Sequence, residues 1–174
     1  AGPAPLPGKG VAQEVMDEDR AVQHQPEQDE LLGSHAQNRP VEVAADAERS
    51  ACATIAYTYT EPTVFMELCR DCGCLAKERG LANVFVSNGY MRREAIDLAA
   101  DWLGGINVDL KAFNEDYYTR LCKARLQPVL DTIAYIAKET DIWIEVTTLL
   151  IPGENDSEDE LKQLADFVRG GLNG

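Results

Sequence analysis

Four short segments carry the residue types from which a polar site is built. The stretch "AYTYTEP" (56–62) ends on Glu61 and Pro62, "NVFVSNGY" (83–90) ends near Ser87 and Asn88, "NVDLKAF" (107–113) holds Asn107, Asp109 and Lys111, and "TTLLIPG" (147–153) contains Thr148. Read as a strand, the third segment puts Asn107, Asp109 and Lys111 on one face and Val108 and Leu110 on the other. A carboxylate and an ammonium on an inward face are costly unless they are paired or liganded. Three readings follow. The residues bind a polar ligand; or Asp109 and Lys111 are a structural ion pair, with Glu61 a charge favoured at a helix start; or Glu61 and Asp109 work as an acid/base pair.

The elements that must position these residues are legible from residue 52 onward. Strands are expected over "ATIAYTYT", "NVFVSNG", "INVDLK" and "IWIEVTTLLIPG". Between them lie helical patterns. In "TVFMELCRDCGCLAKERG" the residues Phe65, Leu68, Cys69, Cys72, Leu75 and Ala76 form one stripe, and Gly80 stands where a C-terminal glycine belongs. "REAIDLAADWLGG" is stopped by Gly104 and Gly105. Asn114 caps "NEDYYTRLCKA", Pro128 suits the first turn of "PVLDTIAYIAKE", and Ser157 with Glu160 forms a capping box before "LKQLADFVRGG". Strand and helix alternate, which predicts α/β architecture with a parallel sheet. Four strands are too few for a closed barrel, so the expectation is a partial (β/α) barrel, incomplete as this chain, over residues 51–174. In such folds ligands sit at the carboxyl ends of the strands, where all four segments fall.

Residues 1–50 differ. They hold no aromatic residue, three prolines in "AGPAPLPGKG", and both histidines, His24 and His35. This composition predicts an irregular or disordered segment, with one short helix over "VEVAADAERSA". The net charge of −14 disfavours nucleic acid and anionic membranes as partners. No apolar run reaches the roughly 20 residues of a membrane helix, and no signal peptide is legible. Five unevenly spaced cysteines point to a reducing cytoplasm rather than a disulfide framework.

Taken together and in order, "AYTYTEP", "NVFVSNGY", "NVDLKAF" and "EVTTLLIPGENDSEDEL" resemble radical S-adenosylmethionine (SAM) enzymes. The likeness is to the radical enzyme of the AmmeMemoRadiSam system, itself similar to pyruvate formate-lyase activating enzymes. It covers residues 52–169. It implies a partial barrel that binds SAM at the strand ends and makes a 5′-deoxyadenosyl radical for hydrogen abstraction from a protein or small-molecule substrate. By this resemblance the segment Tyr59, Thr60, Glu61 holds the ligand's amino group, Ser87 and Asn88 meet its polar parts, Lys111 meets its carboxylate with Asp109 beside it, and Thr148 flanks the adenine. The resemblance also implies a [4Fe–4S] cluster on a Cys-x3-Cys-x2-Cys motif after the first strand. No cysteine precedes Cys52, and Cys69, Cys72 and Cys74 have the wrong spacing. Cys69 and Cys72 read as core residues. The chain is therefore expected to be a fragment or an altered product, a cluster-free barrel that binds SAM or a protein partner, or a non-functional truncated product that self-associates through open sheet edges.

Overall fold

The computed structural model describes residues 39–171. Residues 1–38, with His24 and His35, lie outside them. The elements run α1 (Pro40–Arg49), β1 (Thr54–Tyr57), a 3-10 turn (Pro62–Phe65), α2 (Met66–Glu78), β2 (Ala82–Ser87), α3 (Arg93–Ala99), β3 (Gly105–Asp109), α4 (Glu115–Tyr117) continued by a π-helical turn (Tyr118–Cys122), α5 (Leu126–Glu139), β4 (Trp143–Thr147) and α6 (Glu158–Gly171). The short helix expected just before residue 52 is present as α1. Its Ala44 is buried, and Glu48 meets Arg79 at the end of α2 at 3.4 Å.

The four strands are parallel and paired in the order of the chain, β1-β2-β3-β4. This is the expected α/β architecture, a partial barrel. One face of the sheet carries Tyr57, Asn83, Phe85, Ile106 and Val108, all buried with Cys69, Cys72, Ile96, Val129, Ile133 and Ile136 of the helices. The other face carries Ala56, Val86, Asn107, Asp109, Trp143, Glu145 and Thr147, which are exposed or half-buried. The period-2 pattern thus separates a helix-covered face from an open one.

Three aromatic rings fill the core beneath β1 and β2. Tyr57, Phe85 and Trp102 meet edge to face with centroids 5.5 to 6.0 Å apart, the arrangement favoured by ring quadrupoles. Trp102 lies flat on α2, where a Cβ on Gly73 would come within 2.2 Å of its ring. This explains a departure from the expected stripe of α2. The helix turns Met66, Cys69, Cys72, Gly73 and Ala76 inward and leaves Leu68 exposed, because the bulky indole needs the glycine beneath it. At the centre sits a buried amide: Asn83 Nδ2 donates to the Gly73 carbonyl at 3.0 Å and the Trp102 carbonyl at 3.2 Å, while its Oδ1 accepts from the Tyr57 hydroxyl at 2.9 Å.

Other boundaries are corrected. The helix expected over 93–105 ends at Ala99, and Gly105 is the first residue of β3, not a stop. Gly104 N–H already donates to the Asn83 carbonyl at 2.9 Å, so the sheet takes the chain before the helix can continue. The helix after Asn114 begins as expected, with the Asn114 side chain accepting from Asp116 N–H and Tyr117 N–H. It then widens to a π turn and closes on Lys123, whose φ is +55°. β4 ends at Thr147 rather than at Gly153. The capping box before α6 is half formed: Ser157 Oγ accepts from Glu160 N–H at 3.3 Å, but the Glu160 carboxylate accepts from Phe113 N–H at 2.8 Å.

Replacing Asn83 by Ala strands two core carbonyls and a buried hydroxyl. The expected loss of stability is about 3 kcal/mol, measured by urea denaturation; a loss below about 1 kcal/mol would show that the amide does not organise the core.

Candidate functional site

The sequence makes each strand end polar in its own way, and the parallel register brings these ends to one edge of the sheet. After β1 the chain crosses Thr58, Tyr59 and Thr60 to Glu61, four residues beyond the last strand residue. Pro62 then starts the 3-10 turn, with no N–H to be left unpaired. Glu61 gives that turn no side-chain cap. Instead its carboxylate reaches β2: Oε1 accepts from Ser87 Oγ at 2.8 Å and Oε2 from Asn88 N–H at 2.9 Å. Thr63 Oγ1 adds a weaker bond to Oε1 at 3.3 Å. Glu61 is thus a clamp between two strand ends.

The turn after β2 is fixed by its own side chains. Ser87 Oγ accepts from Gly89 N–H at 3.0 Å and Asn88 Oδ1 from Tyr90 N–H at 2.8 Å. Gly89 has φ +71°, and a Cβ there would lie 2.7 Å from Val108 and 3.1 Å from Val129. Only glycine satisfies both the angle and the space.

At the end of β3, Asp109 Oδ2 accepts from Lys111 Nζ at 2.5 Å, both side chains about two-fifths exposed. The pair is real, as one of the three readings required, and sits at the mouth rather than in the core. Lys111 itself lies past the strand, and its backbone is held from two sides. Its N–H donates to the buried Tyr118 hydroxyl at 3.2 Å, and its carbonyl accepts from Asn155 Nδ2 at 2.6 Å. Burial pushes the Tyr118 phenol up to about 12, so it stays a neutral hydroxyl in this bond. Asn155 is itself buried and also donates to the Leu149 carbonyl at 2.9 Å and accepts from Ile151 N–H at 2.7 Å. Thr148 Oγ1 donates to the Leu110 carbonyl at 2.7 Å. These bonds tie the loop after β4 to the loop after β3 and take the place of further strand pairing, which is why β4 stops early.

Sequence reasoning placed Asn107 on the face of Asp109 but did not find Asn155, Tyr118 or the cross-strand bonds by which Asn107 Nδ2 donates to Glu145 Oε1 at 2.8 Å and Thr147 Oγ1 at 2.7 Å. Asn155 stands in "IPGENDSEDE", a composition that marks a turn but not a burial. Asn107 and Glu145 occupy paired positions of β3 and β4, so strand alternation in both segments is their one signal.

Residues 24–168 match the family described as the radical SAM superfamily. The chain belongs to that superfamily. It is 44% identical over 133 residues to an uncharacterized protein of Methanocaldococcus jannaschii, an alignment that spans 76% of this chain and 39% of that protein. It is 27% identical over 106 residues to the pyruvate formate-lyase 1-activating enzyme of Escherichia coli K12, across 59% of this chain and 42% of the enzyme. The chain therefore spans about two-fifths of the length of these curated relatives. Its fold is that of a domain of a pyruvate-formate lyase-activating enzyme from Bacteroides vulgatus, with a TM-score of 0.62, 20% identity, and 68% of this chain and 73% of that one covered. Among the described residues no helix is long and apolar enough to cross a membrane.

The superfamily implies SAM and a [4Fe–4S] cluster, and the two fare differently. The strand ends offer carboxylates, backbone carbonyls and one ammonium, a donor set that fits the charged methionyl end of SAM. The thiols do not fit a cluster. Cys69 and Cys72 are buried on the helix-covered face, Cys74 and Cys52 are exposed elsewhere, and Cys122 is partly buried. Burial, with a further contribution from the neighbouring Cys72, pushes the Cys69 thiol up to about 12, and burial followed by Asp71 raises Cys72. A cluster ligand is a thiolate, and these two are held as neutral thiols. Among the described residues no group of three or more His, Cys, Asp or Glu is placed to hold a metal.

Two outcomes follow. A thiol reagent at neutral pH should modify Cys52 and Cys74 in the native chain and spare Cys69 and Cys72 until it is unfolded; mass mapping of the adducts decides this. Cys69 has a folded value raised from 9.0 to about 12. The stability it contributes is therefore whole below pH 9 and is lost as pH rises toward 12, seen as a melting temperature that falls across that window and falls less in Cys69→Ala.

Proposed function

We propose that the carboxyl ends of β1 to β4 bind S-adenosylmethionine, and that the chain serves hydrogen-atom abstraction from a protein or small-molecule substrate as part of a radical enzyme of the activating type. The observation that carries this reading is the convergence of Glu61, Ser87, Asn88 and the Asp109–Lys111 pair on one sheet edge in a chain of this superfamily. In it the Tyr59 and Thr60 carbonyls and Glu61 receive the ligand's ammonium, and Lys111 turns from Asp109 to share the ligand's carboxylate. Ser87 and Asn88 meet further polar atoms, and the Thr148 segment flanks the adenine. The four motifs support the finer kinship with the AmmeMemoRadiSam radical enzyme, and thiols without disulfides suit a cytoplasmic setting.

The radical step needs a cluster that these cysteines do not fit, so no step is assigned through it. That mismatch favours a second reading of the same residues: a barrel portion that binds SAM, or a protein partner, without iron. The outer edges of β1 and β4, each paired on one side only among the described residues, are where such a portion would join another chain or itself.

Calorimetric titration with SAM, before and after anaerobic treatment with iron and sulfide, tests the reading. Binding is expected without iron, weakened about tenfold in Lys111→Ala, the loss of one charge-assisted bond at a partly exposed site. Absence of any heat in the wild-type chain would sink it. Iron analysis separates the two forms: four irons per chain after reconstitution would mean that the buried thiols can be recruited, and none would leave ligand binding alone.

A further inference from the structure

One buried side chain joins the loop after β3 to the loop after β4. Asn155 is 1% exposed, and its amide is taken up by backbone groups of both loops. Its Nδ2 hydrogens go to the Lys111 carbonyl at 2.6 Å and the Leu149 carbonyl at 2.9 Å, and Oδ1 accepts from Ile151 N–H at 2.7 Å. The turn that presents it is closed by local bonds. The Ile151 carbonyl accepts from Glu154 N–H at 3.0 Å, and Gly153, at φ +79°, donates its N–H to Asp156 Oδ1 at 2.9 Å. The π-helical turn braces the same two loops. Its Tyr118 hydroxyl accepts from Lys111 N–H at 3.2 Å, and its Arg120 donates to Glu154 Oε2 at 2.5 Å.

These bonds give Lys111 a fixed root and an open tip. Its backbone N–H and carbonyl are both engaged, while its ammonium meets Asp109 at a partly exposed position. The stem of a lysine is flexible, so what the fold can set is where that stem begins. A group held in advance where its ligand needs it binds at a lower entropic cost. The amide that holds Lys111 also holds Leu149 and Ile151, next to Thr148. A side chain this buried, with both amide hydrogens engaged, acts through the groups it holds and not by touching a ligand.

We propose that Asn155 is a positioning residue that holds Lys111 and the loop after β4 as one unit, so that the carboxylate end and the adenine end of one ligand are received in a fixed relation. This rests on the SAM-binding reading above and adds to it a residue that touches no ligand. Tyr118 serves the same unit on one side only, since its hydroxyl holds Lys111 and no part of the loop after β4.

The test titrates the full chain and its variants calorimetrically with SAM and with 5′-methylthioadenosine, which keeps the adenosine end and lacks the amino-acid end; each variant is also melted. Tyr118→Phe removes one hydroxyl and keeps the ring. It should bind SAM about threefold more weakly and methylthioadenosine within about twofold of wild type. Asn155→Ala should weaken SAM about tenfold and methylthioadenosine about threefold. Beside Lys111→Ala, the Asn155→Ala loss for SAM should shrink to about threefold, because the remainder acts through the lysine. A merely structural role would carry the whole loss into that background, and that result overturns the inference. Unchanged SAM binding in Asn155→Ala or Tyr118→Phe overturns it too, as does an Asn155→Ala variant that binds methylthioadenosine like wild type. Where Asn155→Ala does not melt cooperatively, Asn155→Asp, which keeps the acceptor for Ile151 N–H, takes its place with the same expectations; failure of both to fold marks Asn155 as a fold residue and overturns the inference. A wild-type chain that takes up neither ligand removes the SAM reading and this inference together. A wild-type chain that binds SAM but not methylthioadenosine, or whose variants bind as it does, removes the inference alone.

Discussion

Everything at the candidate site depends on one constraint: four parallel strands lie side by side in chain order, with their helices on a single face. Parallel strands joined by right-handed crossovers send every strand-to-helix connection out of the same sheet edge. The carboxylate after β1, the hydroxyl and amide after β2, and the ion pair after β3 are thus neighbours although 26 residues separate Glu61 from Ser87. Among the described residues the same constraint leaves the other face without helices. Helices bury Tyr57, Phe85, Ile106 and Val108, and alternation leaves Asn107, Asp109 and Glu145 on the open side.

The constraint fixes neighbourhoods, and side-chain bonds then fix positions. Each loop is held by a residue from another one. Glu61 from the first ties the second, and Asn155 from the fourth ties the third through the Lys111 carbonyl. Such bonds between loops cost little in exposed backbone and leave the outward-facing groups free to meet a ligand. They also make Glu61 ambiguous by nature. Its Oε1 already accepts from Ser87 and Thr63, but Oε2 accepts from Asn88 N–H alone and retains a lone pair, so clamp and ligand contact are compatible roles for this carboxylate.

Strand alternation is a local signal, and it was sufficient for the parallel α/β architecture, the helix-covered face and the position of Asp109 and Lys111 at a strand end. What could not be read locally was set by distant partners. Leu68 fits the apolar stripe of α2 as well as Met66 does, and only the indole of Trp102 against Gly73 decides which turns inward. The run 143–153 is strand-like throughout, but the Thr148 hydroxyl and the Asn155 amide claim its later backbone. Glu160 satisfies the spacing of a capping box, and Phe113 N–H, 47 residues away, takes its carboxylate instead. In each case a propensity met a long-range bond of higher value. The buried Asn83, the polar centre of the core, had no sequence signal, because an asparagine within a strand pattern reads as a weak position rather than as a hub.

The cluster mismatch has the same geometric root as the site. Cys69 and Cys72 share the core with Tyr57, Ile106 and Val108, on the helix-covered side of the sheet, while Asp109 alternates to the other side and Lys111 pairs with it at the strand end. To approach a ligand there, the thiols would have to leave a face lined by some of the most fully buried residues of the chain. Removing Cys69 from that environment exposes apolar surface, opens a gap beside Pro62, whose carbonyl its thiol contacts at 3.8 Å, and ionises a thiol that burial keeps neutral. Each of these opposes the move. The polar strand ends and the core thiols are thus consequences of one alternation pattern, and the pattern that builds the ligand face is what keeps these two cysteines from serving it.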